Sequence, residues 1–224
     1  MHIHLPKPLH GWREFLGEVG IIVLGVLLAL AFEQIADAVH WRFEVGELRD
    51  AMRVELAVDR ARNEQNLQQD RCMLARLDAI ETWVSNSPTL SRIPNANEPL
   101  LWNYHSSTWD LAKGSPATTH FELGERLSYA SAYDSVTSEQ RYLMDEQQNW
   151  DELAASMASA DQPQSRALIE REVAIARQHL QGRERNSKFL IEKLNALGIQ
   201  GDPHGVPVAV NADRLCGTFT PPRS

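Results

Sequence analysis

The sequence predicts an all-α protein, with one N-terminal transmembrane helix continuing into an elongated helical bundle or coiled-coil-like body. Three observations carry that reading. Val19 to Phe32 contains no charged and no polar side chain. Glu33 to Val84 contains no proline and a single glycine, Gly46. From Ile169 to Leu197 apolar residues return at a 4-3 spacing, the period of a helix that buries one stripe. The boundaries that follow are a tail over 1–14, a transmembrane helix over 15–36, a helical body over 37–198 and an extended tail over 199–224.

The uncharged core is 14 residues long. As a helix it measures about 21 Å, short of the ~30 Å hydrocarbon layer. That length also suits a signal-peptide core, and Ala29-Leu30-Ala31 fits an A-x-A cleavage site. A retained anchor is favoured because Phe32 to Trp41 continues without glycine or proline. Adding Phe15, Leu16, Ile35 and Ala36 extends the segment to about 33 Å. Trp12 and Trp41 then fall about 43 Å apart, close to the full bilayer thickness where aromatic belts lie.

Glu18, Ile22, Gly25, Ala29, Phe32 and Ala36 share one stripe of that helix. Gly25-x-x-x-Ala29 is a small-x-x-x-small pair that lets two spans approach closely, so these two residues form the candidate packing face. Glu18 and Glu33 lie towards the same side and would repel in a parallel pair. Orientation is a tie on basic residues, Lys7 and Arg13 against Arg42 and Arg49. A short tail is easily kept inside, which puts the body on the periplasmic side.

Residues 4 to 30, from His-Leu-Pro-Lys-Pro-Leu-His-Gly-Trp-Arg-Glu-Phe onward, resemble the start of a group of uncharacterised bacterial proteins. Trp12-Arg13-Glu14-Phe15, then Glu18 and the Val-Leu-Gly-Val core, form the distinctive pattern. The resemblance implies a single N-terminal span, in the bacterial inner membrane, with a helical remainder. It brings no activity and no functional residue.

After the span the chain reads as a long helix. Trp41, Val45, Leu48 and Met52 recur at 4-3-4, as do Met73, Leu77, Ile80 and Val84. Between them Asp59 to Arg71 is almost wholly polar, and the helix either runs through it or breaks there. Turn-rich segments around Ser85–Pro88 and Arg92–Pro99 end it. Leu100 to Leu111 is aromatic, with Trp102, Tyr104, His105 and Trp109, and suits a short helix or buried loop. Phe121 to Val136 reads as a helix burying Leu123, Leu127, Ala130 and Tyr133. Thr137-Ser-Glu-Gln140 matches a capping box, so a separate helix is expected from there to Ala158, burying Leu143, Gln147, Trp150 and Leu153.

The last helix is expected to start at Ser159–Pro163 with proline in its first turn and to stop at Gly198. Its seam places Arg183 and Ser187 among apolar residues. Such positions are accepted where the facing helix is polar, so Arg183 is expected to approach Asp59, Glu64 or Asp70. On that reading Arg183→Leu relieves a polar constraint and stabilises the body.

Composition narrows function. There are 22 basic and 30 acidic side chains, net −8. Lys7 and Arg13 balance Glu14 and Glu18, so the whole excess lies beyond the apolar core. An acidic body repels phosphate backbones, which argues against nucleic-acid partners. His2, His4 and His10 alternate without a scaffold for a metal. His120-x-Glu122 lacks the Cys-x-x-Cys of a zinc deaminase. Asp37-x-x-His40 is a solvated pair, and Glu170 and Glu172 face different ways. No nucleotide-binding or hydrolase motif is present. The Trp102–Trp109 cluster suits core packing, or else the wall of a ligand pocket.

The chain is therefore expected to be a non-enzymatic anchored protein without cofactors. Its partners are the lipid bilayer and either a further copy of itself or another membrane protein. The alternative is a ligand-binding, sensor-like extracytoplasmic domain. Cys72 and Cys216 are a possible disulfide: Cys216 follows the last helix by 18 residues, a reach of about 60 Å if extended. An oxidising compartment favours the pair.

Overall fold

The computed structural model describes residues 11–93, 101–202, His204 and Phe219. They form α1 (Trp12–Asn86), α2 (Ser107–Gly114), a 3₁₀ turn (Pro116–His120), α3 (Leu123–Ala158) and α4 (Ser165–Ala196). The protein is all-α, with no strand among the described residues. It divides into two compact units whose boundary lies between Glu47 and Leu48.

The first unit holds the beginning of α1, and its large apolar side chains before Trp41 face outward. From Val19 to Phe32 they are 37% to 74% exposed. This stretch is long and apolar enough to cross a membrane.

The second unit is a three-helix bundle. Asp78 pairs with Arg177, Asp70 with Arg183 and Arg60 with Asn195, so α4 runs antiparallel to α1. Asn149 meets Glu172 and Ser135 meets Lys193, so α4 also runs antiparallel to α3. The helix does not break in its polar middle: α1 continues through Asp59–Arg71 to Asn86. Pro88 then disfavours helical backbone just before it.

α1 and α4 each borrow a C-terminal cap from the other. Arg166 of α4 donates to the carbonyls of Val84 and Ser87 at the end of α1. Arg53 of α1 donates to Leu197 and Gly198 at the end of α4, at 2.8 and 3.0 Å. These guanidinium groups satisfy carbonyls that have no partner within their own helix. α4 closes in a Schellman motif. Gly198 has φ +64°, its N–H reaches Asn195 O, and Ile199 N–H reaches Leu194 O.

Three sequence expectations are corrected. The capping box at Thr137–Gln140 does not start a helix, because α3 is continuous. Thr137 and Ser138 hydroxyls bond back to the Tyr133 and Asp134 carbonyls instead. Leu123 and Leu127 are exposed, as is Gln147, while Ala132, Val136, Glu139 and Glu146 take the buried positions. α4 begins at Ser165, after a turn containing Pro163, rather than at Ser159.

The described part of the tail packs on α1. Asp202 N–H donates to Ala57 O at 2.9 Å, and Gly201 lies so close to the helix that a Cβ there would meet Ala61 and Glu64. Phe219 approaches Trp83 edge-on at 6.0 Å. An apolar cluster fills the bundle at that end, built on Met73, Leu77, Ile80, Trp150, Leu153, Met157, Ile169 and Val173.

Candidate functional site: the polar middle of the bundle

The buried stripes of the three helices keep one register. α1 buries Met52, Leu56, Asp59, Asn63, Asn66, Asp70, Met73, Leu77, Ile80 and Val84, spaced 4-3 throughout. α3 buries Ala132, Val136, Glu139, Leu143, Glu146, Trp150, Leu153 and Met157 at the same spacing. α4 contributes Ile169, Val173, Ala176, Leu180, Arg183, Ser187, Leu190 and Leu194. Each stripe is apolar at both ends and polar at its centre. The three polar centres meet.

Arg183 is the cation of that centre and is wholly buried. Its Nη2 donates to Asp70 Oδ1 and lies 3.4 Å from Glu146 Oε1. Its Nε is 3.0 Å from Glu146 Oε2 as an ion pair, without the alignment of a hydrogen bond. The expected approach to a carboxylate on the first helix is thus met at Asp70, while Glu64 stays on the outer face with Arg60. One layer further, Ser187 Oγ donates to Glu139 Oε1 at 2.9 Å. Asn63 reaches the Ser187 carbonyl at 3.5 Å.

Two carboxyl groups therefore hold one guanidinium, a third lies one layer away, and burial dominates the chemistry of all three. It pushes the Asp70 carboxyl up to about 7, against the pull of Arg183. It pushes Glu139 up to about 7 despite the hydroxyl of Ser187. Glu146 is also raised by burial, with Arg183 and the Trp150 indole opposing. Asp70 Oδ2, Glu139 Oε2 and Glu146 Oε2 have no hydrogen-bond partner among the described residues.

An aromatic strap ahead of α2 covers the polar face of α1. Asn66 pairs with both backbone groups of Trp102: its Oδ1 accepts from the amide at 3.0 Å and its Nδ2 donates to the carbonyl at 3.1 Å. Tyr104 inserts into the bundle, 2% exposed, and donates its hydroxyl to Asn63 Oδ1 at 2.8 Å. Both oxygens of Asp59 accept from the His105 amide, at 3.0 and 3.2 Å. Arg62 adds bonds to Asn103 O and to His105 Nδ1. Glu55 accepts from Thr108 N–H and Ser107 Oγ, so a carboxylate from α1 caps the N-terminus of α2. Burial pushes Asp59 up to about 7 in spite of these donors.

The aromatic cluster of the sequence is divided between two roles. Tyr104 is core, and Trp109 stacks on Tyr133 at 5.3 Å. Among the described residues no three of His, Cys, Asp or Glu converge as metal ligands. Cys72 is half-buried against the apolar cluster and is held in a disulfide. Cys216 lies outside the described residues, as do His2, His4 and His10. Gly25 and Ala29 lie on the exposed stretch of α1, where a Cβ at Gly25 would touch nothing within 4 Å.

Glu139 and Glu146 are the site residues that sequence reasoning missed. The signal was present. Counting back from Met157, Leu153 and Trp150 in steps of 3 and 4 lands on both, but the local capping signature at 137–140 obscured the register.

No protein-family model, no curated protein and no solved structure matches this chain.

Proposed function

We propose that this protein is a single-pass bacterial inner-membrane protein, anchored through the start of α1, with its helical body in the periplasm. It acts without catalysis, by contact with further copies of itself or with another membrane protein. The observation that carries the reading is the exposed apolar surface from Val19 to Phe32. In water such a surface is an aggregation site, whereas in lipid it is at home. The periplasmic side is supported by the disulfide at Cys72, since structural disulfides persist in oxidising compartments. Cys216 is its partner in this reading, and Gly25 and Ala29 are the packing face if spans associate.

Carbonate washing of membranes from cells expressing the full chain tests the anchor. The protein stays in the pellet with its N-terminal segment intact. A mature protein beginning at Phe32 would identify an export signal instead. Alkylation of intact cells with and without reductant tests the compartment, and free thiols in untreated protein would contradict it.

A second reading, a ligand-binding sensor-like domain, is favoured by one feature. A polar hollow of 370 Å³ is lined by Ser138, Arg141, Tyr142, Asp145 and Asn186, within the range of small-molecule sites. A thermal-shift screen with small polar metabolites separates the readings, since only the sensor responds.

A further inference from the structure

The polar middle of the bundle has an unbalanced charge. From α1 it receives Asp70, from α3 Glu139 and Glu146, and from α4 the single cation Arg183, all of them buried. Two further groups of α4 act on it from its edges, Glu184 towards Asp70 and His179 towards Glu146. The strap contributes the Tyr104 phenol. If all three acids were ionised, two negative charges would lie beyond what Arg183 can balance, an arrangement that burial penalises heavily. Three of their oxygens also have no hydrogen-bond partner among the described residues.

We propose that this layer is a proton-operated catch, in which protons on the acids around Arg183 hold α1, α3 and α4 together and their loss loosens the bundle. Asn186, next to Ser187 on α4, lines the surface hollow, so solvent comes close to the layer on that side. The direction of the effect follows from the raised acidities. A carboxyl that holds its proton more tightly when folded contributes stability below its unfolded value and loses it as pH rises through the folded one. Here that window runs from the ordinary carboxyl range up to about pH 7. Asp59, held by the strap, titrates in the same window and must be separated from the layer.

The test is thermal unfolding of the full chain in lipid nanodiscs, followed by circular dichroism between pH 5.5 and 8. The wild type should lose roughly 5–10 °C in Tm across that range. Glu139→Gln and Glu146→Gln should each remove part of the slope, the double variant more, and Asp70→Asn added to it a further part, leaving what Asp59 contributes. Asp59→Asn should leave the part due to the Arg183 layer in place. A wild-type Tm that is flat or rises with pH would overturn the proposal, as would an unchanged slope in the double variant or a slope abolished by Asp59→Asn alone. Should the double variant fail to fold, infrared spectroscopy of Asp59→Asn, in which the strap acid no longer titrates, decides. A buried carboxylic-acid band present at pH 6 and gone by pH 8 supports the catch, and its absence at pH 6 overturns it.

Discussion

Two stretches of α1 invert the usual relation between polarity and burial. Val19 to Phe32 has no polar side chain, yet its large residues are exposed. Asp59 to Asp70 is nearly all polar, yet Asp59, Asn63, Asn66 and Asp70 are buried. Both follow the same helical period, so local propensity does not separate them. What differs is the surrounding medium. The first stretch presents hydrocarbon to what we propose is lipid, and its backbone is satisfied within the helix. The second presents carboxylates and amides to groups placed to meet them: the amides of Trp102 and His105, the hydroxyl of Tyr104 and the guanidinium of Arg183. A polar side chain is stable inside a protein where its partners are fixed, and the strap and α4 fix them here.

The largest expected effect comes from placing charge in the first stretch. Leu24→Arg with Leu27→Arg costs about 2.5–3.5 kcal/mol per residue on insertion scales, so the doubly substituted chain should leave the carbonate-washed pellet or be degraded. Retention of this variant in the membrane would break the contrast at its apolar end.

Arg183→Leu probes the other stretch. The sequence expectation was that this change stabilises the body, on the premise of a simple buried pair. The structure reverses it, because Arg183 is the cation shared by Asp70 and Glu146, with Glu139 nearby. Removing it leaves buried acids uncompensated, at a cost of about 3–5 kcal/mol near neutral pH. The loss should be smaller at pH 5.5, where the acids hold protons. Replacing Arg183, Asp70 and Glu146 together with apolar residues should cost far less than Arg183→Leu alone. Denaturant unfolding at the two pH values measures both.

Asn66→Ala is expected to be milder. It deletes both bonds to Trp102 and the bond to Tyr104, which amounts to about 1–3 kcal/mol. It should raise the exchange rate of amides in the strap while the apolar cluster around Trp150 stays protected. Equal loosening of both regions would show that strap and core are a single cooperative unit.

The elements that were legible in the sequence are those whose periodic signal is unopposed. α4 is marked from Ile169 to Leu194 by a spacing that no proline or turn interrupts, and its glycine stop at Gly198 has the positive φ that the motif requires. The pairing of Arg183 with an acid of α1 was legible too, because an arginine in an apolar stripe needs a polar partner opposite. α3 was less so. Thr137-Ser-Glu-Gln140 carries a helix-start signature that tertiary packing overrides, and with the register lost there Gln147 replaced Glu146 in the expected core. The strap was hidden for another reason. Apart from the Tyr104 hydroxyl and the His105 ring, its contacts are made by backbone groups of Trp102, Asn103 and His105 with side chains of α1, and backbone groups leave no trace in residue type.

Amide hydrogen exchange of the full chain in lipid nanodiscs tests most directly the claim that the polar middle of α1 is interior. Peptides covering 59–70 should exchange as slowly as those covering 73–84 in the apolar cluster, with the strap at 101–108 protected alongside them. Fast exchange across 59–70 next to slow exchange across 73–84 would mean that the polar run is a solvated face, and it would contradict the account.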